Sequence, residues 1–105
     1  MRSWPRRPII YEINTWVWLQ ELSRREQKPV TLATVPTGEW DALALYGFDA
    51  VWLMGVWERS PAGALVANGN AGLQAEFGRV LSDYQLEDNV GSAYCVRRYV
   101  VDDQL

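Results

Sequence analysis

The sequence predicts an α/β fold, and three observations carry that prediction. The run Ala50–Met54 is apolar without alternation, which is typical of a strand covered on both faces of a parallel sheet. Residues 9–13 are rich in β-branched and aromatic side chains and indicate an earlier strand. Between them, residues 37–46 favour a helix that ends at Gly47, where a helix commonly has glycine. This order predicts a right-handed βαβ unit with parallel strands.

Length and charge exclude several classes of protein. The chain has 105 residues, enough for one domain at most, and its 49% hydrophobic content argues against disorder. A formal net charge of −3 without a basic stripe argues against a nucleic-acid partner. No apolar run reaches the roughly 20 residues that a membrane helix needs. Six tryptophans in so short a chain require either a large core or an aromatic binding surface.

The rarest residue types limit the chemistry. The chain has no histidine, which excludes histidine-based triads and histidine metal sites, and one cysteine, Cys95, which excludes a cysteine-rich zinc site. A lone cysteine forms no internal disulfide, and Glu12 and Asn14 interrupt any signal-peptide-like run. We therefore expect a cytoplasmic protein.

The remaining segments give weaker predictions. Residues 16–22 favour a short helix or an aromatic loop, and residues 23–29 a solvated connection. Residues 62–72 favour a mobile loop, and the spacing of Leu73, Phe77, Val80 and Leu81 predicts a short amphipathic helix. Residues 82–92 are acidic and irregular, and residues 93–101 show no clear period.

Two strands and one helix do not cover both faces of a sheet. We therefore expect the front end of a larger fold, and we expect the isolated chain to aggregate, oligomerise or remain partly molten.

Several short motifs occur in one order along the chain. They are the strand Ile10-Tyr11-Glu12-Ile13, the helix end Gly47-Phe48, the strand Val51-Trp52-Leu53, the exit Ser60-Pro61, and the late segment Ala93-Tyr94-Cys95-Val96 with Tyr99 and Val101-Asp102. In this order and spacing they resemble the opening of the α-amylase family, glycoside hydrolase family 13. The resemblance covers nearly the whole chain. It implies the opening βαβ portion of a (β/α)8 TIM barrel, truncated before the third strand, with residues 1–105 as one N-terminal fragment that needs the rest of the barrel for a closed fold.

The resemblance also implies a function. It indicates the N-terminal piece of a retaining glycoside hydrolase or transglycosylase that acts on an α-glucan or oligosaccharide. The family's aspartate nucleophile, glutamate acid/base and second aspartate belong to strands four, five and seven, so no catalytic residue is expected in this chain. The sequence departs from the family at four positions. Gly55 replaces a proline, Ala93 a glycine, and Cys95 and Arg98 each replace an aspartate.

Three residues are candidates for substrate binding. The resemblance places Tyr94 against the sugar ring beside the bond that is cleaved, where a flat aromatic suits the apolar face of a pyranose. Trp57 and Trp16 follow the two predicted strands and are further candidates for a sugar platform, with packing beneath the loops as the alternative.

Other site assignments are disfavoured. Glu12 and Glu58 are a weak alternative for a catalytic pair. We expect no cofactor in this chain, although calcium is possible in a full-length family member, and the acidic pairs 87–88 and 102–103 favour solvated loops over a calcium site. The rival function is a non-catalytic α/β module that binds a sugar or a partner through its tryptophans.

Overall fold

The computed structural model describes residues 3–105 and divides the chain into two compact units. The first unit extends to Val56 and also includes Asp103–Leu105, and the second unit is Trp57–Asp102. Both contain helices and a two-stranded sheet, so the fold is mixed α/β as predicted. Within residues 3–105 the sheets do not close into a barrel. No helix in this described part has the length and apolar character needed to cross a bilayer.

The first unit contains the predicted βαβ arrangement. Its elements are β1 (Ile10–Asn14), α1 (Thr15–Glu26), α2 (Thr37–Leu45) and β2 (Ala50–Met54). The strands β1 and β2 are parallel and in register from Ile10 opposite Ala50 to Asn14 opposite Met54. The helix α2 ends as expected, because Gly47 adopts a φ of +79° and its N–H donates to the Ala44 carbonyl over 3.0 Å.

The helix α1 is longer than the sequence pattern indicated. The predicted connection at residues 23–29 is wrong in its first part, since α1 continues to Glu26 and ends at Gln27 in a left-handed conformation. Charged residues favour a helix when they pair along it, and Arg24 donates to Glu21 one turn earlier over 2.6 Å. The charged residues of this segment therefore lie on a solvated face of the helix and not in a loop.

The strand β2 is not covered on both faces within the described residues, and the sequence pattern predicts that this cover comes from a larger fold. No residue of β2 is buried, and Trp52 is 52% exposed. Within residues 3–105 the strand hydrogen-bonds only with β1, in a two-stranded sheet. The buried cluster of this unit lies instead around α1, where it comprises Leu19, Leu22, Val30 and Leu105.

The second unit is built on a short antiparallel ribbon. Its elements are β3 (Trp57–Arg59), α3 (Pro61–Asn68), α4 (Ala71–Val80), a 3₁₀ turn at Leu86–Asp88 and β4 (Val96–Val101). Strands β3 and β4 pair Trp57 with Val101, Glu58 with Arg98 and Arg59 with Val96.

The predicted amphipathic helix at residues 73–81 is confirmed as α4, but the loop predicted for residues 62–72 is wrong. Most of that segment belongs to α3 and to the start of α4. Pro61 begins α3, a position that suits its fixed φ and missing N–H. Asn70 caps α4, accepting the Leu73 N–H over 3.0 Å.

Candidate functional site

The turn before β4 holds Tyr94, the strongest candidate from the sequence. The Cys95 N–H donates to the Ser92 carbonyl over 3.1 Å, and the Tyr94 N–H donates to Ser92 Oγ over 3.1 Å. The Ser60 N–H donates to the Cys95 carbonyl over 2.7 Å. This last bond joins the Ser60-Pro61 exit to the tyrosine segment, so two motifs that are distant in the sequence meet at one end of the β3–β4 ribbon.

The Tyr94 side chain projects into solvent. It is 81% exposed, although the backbone around it is fixed by the three hydrogen bonds of the turn. An exposed phenol on an ordered turn offers an aromatic face for stacking and a hydroxyl that donates and accepts hydrogen bonds. Both properties suit a sugar ring.

Trp57, the second candidate, lies on β3 and contacts a residue that the site prediction missed. Its ring meets that of Tyr99 edge-on, with centroids 5.8 Å apart and planes at 79°. Trp57 is 40% exposed and Tyr99 is 78% exposed, so both rings are accessible. No ring contact joins Trp57 to Tyr94 among the described residues. Only the antiparallel pairing of β3 with β4 brings Tyr99 to Trp57, and a local sequence pattern does not contain that information.

Glu58 is the ion-pair partner of Arg98 and Arg97. Arg98 Nη2 lies 2.5 Å from Glu58 Oε2, and Arg98 Nε donates to both carboxylate oxygens over 3.2 Å. Arg97 Nη1 lies 3.4 Å from Glu58 Oε1. The hydrogen bond from Arg98 holds the pKa of Glu58 below its ordinary value, with smaller contributions from the charges of Arg98 and Arg97. A general acid needs a raised pKa, which is the opposite shift.

Arg98 therefore acquires a structural role. It stands where the resembled family has an aspartate, and here it lies opposite Glu58 in the β3–β4 pair and hydrogen-bonds its carboxylate. Glu12, the other half of the disfavoured pair, lies exposed on β1 in the first unit.

Arg59 anchors the loop that precedes Tyr94. Its Nη1 donates to the Gly91 carbonyl over 2.8 Å, and Gly91 adopts a φ of +87°. Burial lowers the pKa of Arg59, and the nearby Asp102 carboxylate opposes that shift. The Arg59 side chain thus connects β3 to the end of this loop at Gly91.

Trp16, the third candidate, belongs to the first unit. It is half-buried on α1, where it packs against the buried cluster of Leu19, Leu22, Val30 and Leu105. It also lines a cavity of about 180 Å³ together with Gln20 on the same helix, Thr31 and Gln104. Local sequence patterns do not indicate these polar neighbours, because residues from three distant segments meet there.

The turn after β2 departs from the resembled family in its backbone. Gly55 adopts a φ of +77°. Proline is locked near −65°, so the family's usual residue does not fit this conformation. Cys95, another departure, is exposed and lies beside Gly63.

Two residues of the acidic loops have partners within the chain. Asp88 Oδ2 accepts the Gln85 N–H over 2.8 Å in a capping box, and Asp102 interacts electrostatically with Arg59. Residues 3–105 contain no cluster of three or more histidine, cysteine or acidic side chains that could hold a metal ion.

Comparison with known proteins adds no relative. No family model matches the chain, and neither the curated proteins nor the solved structures give a significant match.

Proposed function

We propose that the chain forms the first two strands of an α-amylase-type (β/α)8 barrel and contributes substrate contacts to the processing of α-linked glucosides. The observation that supports this most directly is the position of Tyr94. Its ring is 81% exposed. The turn that holds it is bonded to the Ser60-Pro61 motif, because the Cys95 carbonyl accepts the Ser60 N–H. The family resemblance implies a tyrosine in that segment that stacks on the sugar.

The parallel pairing of β1 with β2 supports the same proposal. A (β/α)8 barrel begins with two adjacent parallel strands joined through a helix, and β1, α2 and β2 have that arrangement. The unoccupied edge of β2 and the exposed Trp52 are the places where a third strand and a covering helix would pack. We place the protein in the cytoplasm, where the exposed Cys95 stays reduced.

The chain's role in this proposal is to orient a substrate and not to cleave it. A retaining glycosidase needs two carboxyl groups about 5–5.5 Å apart, one a nucleophile and one an acid/base. The hydrogen bond from Arg98 lowers the pKa of Glu58, which is the opposite of the shift that an acid/base residue needs. Tyr94 supplies an aromatic face for stacking but no carboxyl group.

The test compares the 105-residue chain with the longest product of the same gene on a panel of maltooligosaccharides, starch and trehalose. We expect no sugar release from the short chain, and hydrolysis or transfer by a longer product that contains the family's later strands. Turnover by the short chain would contradict the assignment of chemistry to other strands. A gene that stops at Leu105, or an inert long product, would remove the enzymatic proposal.

The role of Tyr94 has its own test in the longer product. Tyr94→Ala should lower kcat/KM by about 1–3 kcal/mol, a scale borrowed from aromatic stacking on nucleic-acid bases. Tyr94→Phe keeps the ring and should lose much less. Tyr46→Ala is a matched control, because Tyr46 is 75% exposed at the end of α2 and should leave kcat/KM unchanged. Equal losses for Tyr94→Ala and Tyr46→Ala would contradict a stacking role.

A second candidate function is a non-catalytic module that binds a sugar or a partner. The observation in its favour is the accessible aromatic pair on the ribbon, Trp57 with Tyr99, which needs no further strand to be displayed. An inert long product that still binds maltooligosaccharides, and loses that binding on Tyr99→Ala, would favour this candidate.

A further inference from the structure

We infer that the hollow lined by Phe77 and Tyr84 binds a small aromatic amine that carries a hydroxyl on its ring. The hollow lies entirely in the second unit and has a volume of about 290 Å³. That volume is close to the roughly 300 Å³ at which ligand pockets begin, so it suits a single ring with a short side chain. None of the motifs that resemble the α-amylase family lines the hollow, so this site stands apart from the proposed function.

The walls of the hollow are apolar and aromatic. Phe77, Val80 and Leu81 come from the end of α4, and Tyr84 follows on a turn in which its N–H donates to the Leu81 carbonyl over 3.2 Å. The rings of Phe77 and Tyr84 have centroids 5.4 Å apart and planes at 59°. Two rings at such an angle form a corner in which a third ring makes both edge and face contacts. An aromatic ligand therefore gains more from these walls than an acyclic one.

The Tyr84 side chain holds a hydrogen-bonding group without a partner. Its hydroxyl oxygen is shielded from solvent, and no described residue hydrogen-bonds to it. A phenol both donates and accepts, and a buried polar group without a hydrogen bond destabilises the free protein. Val80 and Leu81 in the same wall are 79% and 52% exposed, and exposed side chains change rotamer within nanoseconds. A hydroxyl on the ligand ring therefore reaches Tyr84 without a backbone movement and supplies the missing hydrogen bond.

The polar side of the hollow is negative. Asp88 lines it, and its Oδ2 accepts the Gln85 N–H over 2.8 Å, which leaves Oδ1 for a ligand. The side chain of Asn89, the other polar residue, already bonds Asn68 and Gly91. The helix α4 also ends at the hollow, and the carbonyl end of a helix favours a cation.

Within the described residues, the second unit supplies no cation to Asp88. Residues 82–92 contain no lysine or arginine. The arginines of this unit all have acceptors elsewhere: Arg59 bonds the Gly91 carbonyl, Arg79 pairs with Glu76, and Arg97 and Arg98 pair with Glu58. A ligand ammonium therefore meets a carboxylate without an ion-pair partner, whereas a ligand carboxylate would be repelled.

The test is saturation-transfer difference NMR on the 105-residue chain, because the method detects weak binding and tolerates self-association of the protein. Tyramine carries both the ring hydroxyl and the ammonium group, phenethylamine lacks the hydroxyl, and 4-hydroxyphenylacetate has a carboxylate in place of the ammonium. We expect tyramine to bind with millimolar affinity and phenethylamine to bind about three- to tenfold more weakly, the value of one neutral hydrogen bond. The carboxylate should show no transfer.

Two conservative variants assign these preferences to side chains. Tyr84→Phe should weaken tyramine binding about three- to tenfold and leave phenethylamine binding unchanged, because only tyramine loses a hydrogen bond. Asp88→Asn keeps an oxygen for the Gln85 N–H and should weaken both amines about two- to fivefold, the value of an exposed ion pair. Tyr46→Phe and Asp83→Asn are matched controls, since both residues are exposed and lie outside the hollow, and they should leave binding unchanged.

Several results would overturn the assignment. On the unmodified chain these are no transfer to tyramine, equal affinity for tyramine and phenethylamine, and equal transfer to 4-hydroxyphenylacetate. A Tyr84→Phe loss that is the same for both amines would indicate a structural role of the hydroxyl, and an Asp88→Asn loss no larger than that of Asp83→Asn would exclude the ion pair. The comparison of tyramine with phenethylamine needs no variant, so it decides the matter even where a variant fails to fold.

Discussion

Different kinds of interaction stabilise each of the two units of the chain. The first unit contains every buried residue among those described, including Leu22, which has no exposed surface. In the second unit, Trp57–Asp102, no residue is buried. Its ribbon is held by Glu58 with two arginines, by Arg59 with the Gly91 carbonyl, and by the Ser60–Cys95 hydrogen bond. Buried apolar area stabilises strongly and exposed ion pairs weakly, so stability should be concentrated in the first unit.

The largest effect should come from the buried cluster. Leu22→Ala should lower the free energy of unfolding by about 2–5 kcal/mol, because it leaves a cavity beside Leu19 and Val30. Phe77→Ala removes a larger side chain in the second unit, but Phe77 is only half-buried and the loss should be smaller. Urea denaturation followed by circular dichroism measures both. A larger loss of unfolding free energy for Phe77→Ala than for Leu22→Ala would contradict the expectation that stability is concentrated in the first unit.

Replacing Gly55 should be nearly as costly. Gly55→Pro forces a φ of +77° on a residue locked near −65°, and should destabilise the chain by about 3 kcal/mol. Gly55→Ala should cost about 1–2 kcal/mol, the usual penalty for a left-handed L-residue. A thermal melt of both variants tests this. A neutral or stabilising proline would mean that the turn follows the family's backbone after all.

A smaller gain is expected inside the first unit. Thr15 is fully buried and its Oγ1 has no hydrogen-bond partner. Thr15→Val removes that polar group at constant volume and should raise the free energy of unfolding by about 1 kcal/mol. Thr15→Ser keeps the hydroxyl but loses a methyl group, and should cost about 0.8 kcal/mol. The urea midpoints of the two variants should therefore move in opposite directions, and a shift in the same direction would contradict the account.

The smallest effect should come from the ion pair of the ribbon. Because Arg98 lowers the pKa of Glu58, the pair's contribution to stability is complete above the ordinary value of 4.5 and is lost as the pH falls through the lowered pKa. An NMR titration of the Glu58 carboxyl should show the lowered pKa, and Arg98→Ala should return it toward 4.5. High salt should weaken the pair too. An unchanged titration in Arg98→Ala would exclude the pair as the cause.

The elements that local sequence could predict are those with a local signal. The strand Ala50–Met54, its parallel partner and the glycine end of α2 follow from an apolar run, β-branched residues and Gly47. The apolar run of Ala50–Met54 does not by itself show which elements cover the strand, because cover depends on tertiary structure, and within the described residues the strand is partly exposed. The helix α3 was missed because its alanine, glycine and asparagine content suits loops, although Pro61 marked its first turn.

The candidate site was less predictable than the fold. Tyr94 was chosen through a family resemblance, and no local pattern separates it from an ordinary loop tyrosine. Tyr99 reaches Trp57 only because β3 pairs with β4 across a long connection. Gln20, Thr31 and Gln104 meet around one cavity from three segments. Such contacts follow from tertiary structure, which periodicity and propensity do not encode.

Native-state amide hydrogen exchange, resolved by residue, tests the difference between the two units most directly. We predict slow exchange at the hydrogen-bonded amides of α1 from Leu19 to Leu22 and in the β1–β2 pair, and faster exchange throughout β3 and β4. Leu22→Ala should accelerate exchange in the first unit. Equal protection of the two units, or slower exchange in the β3–β4 ribbon than in α1, would contradict the account.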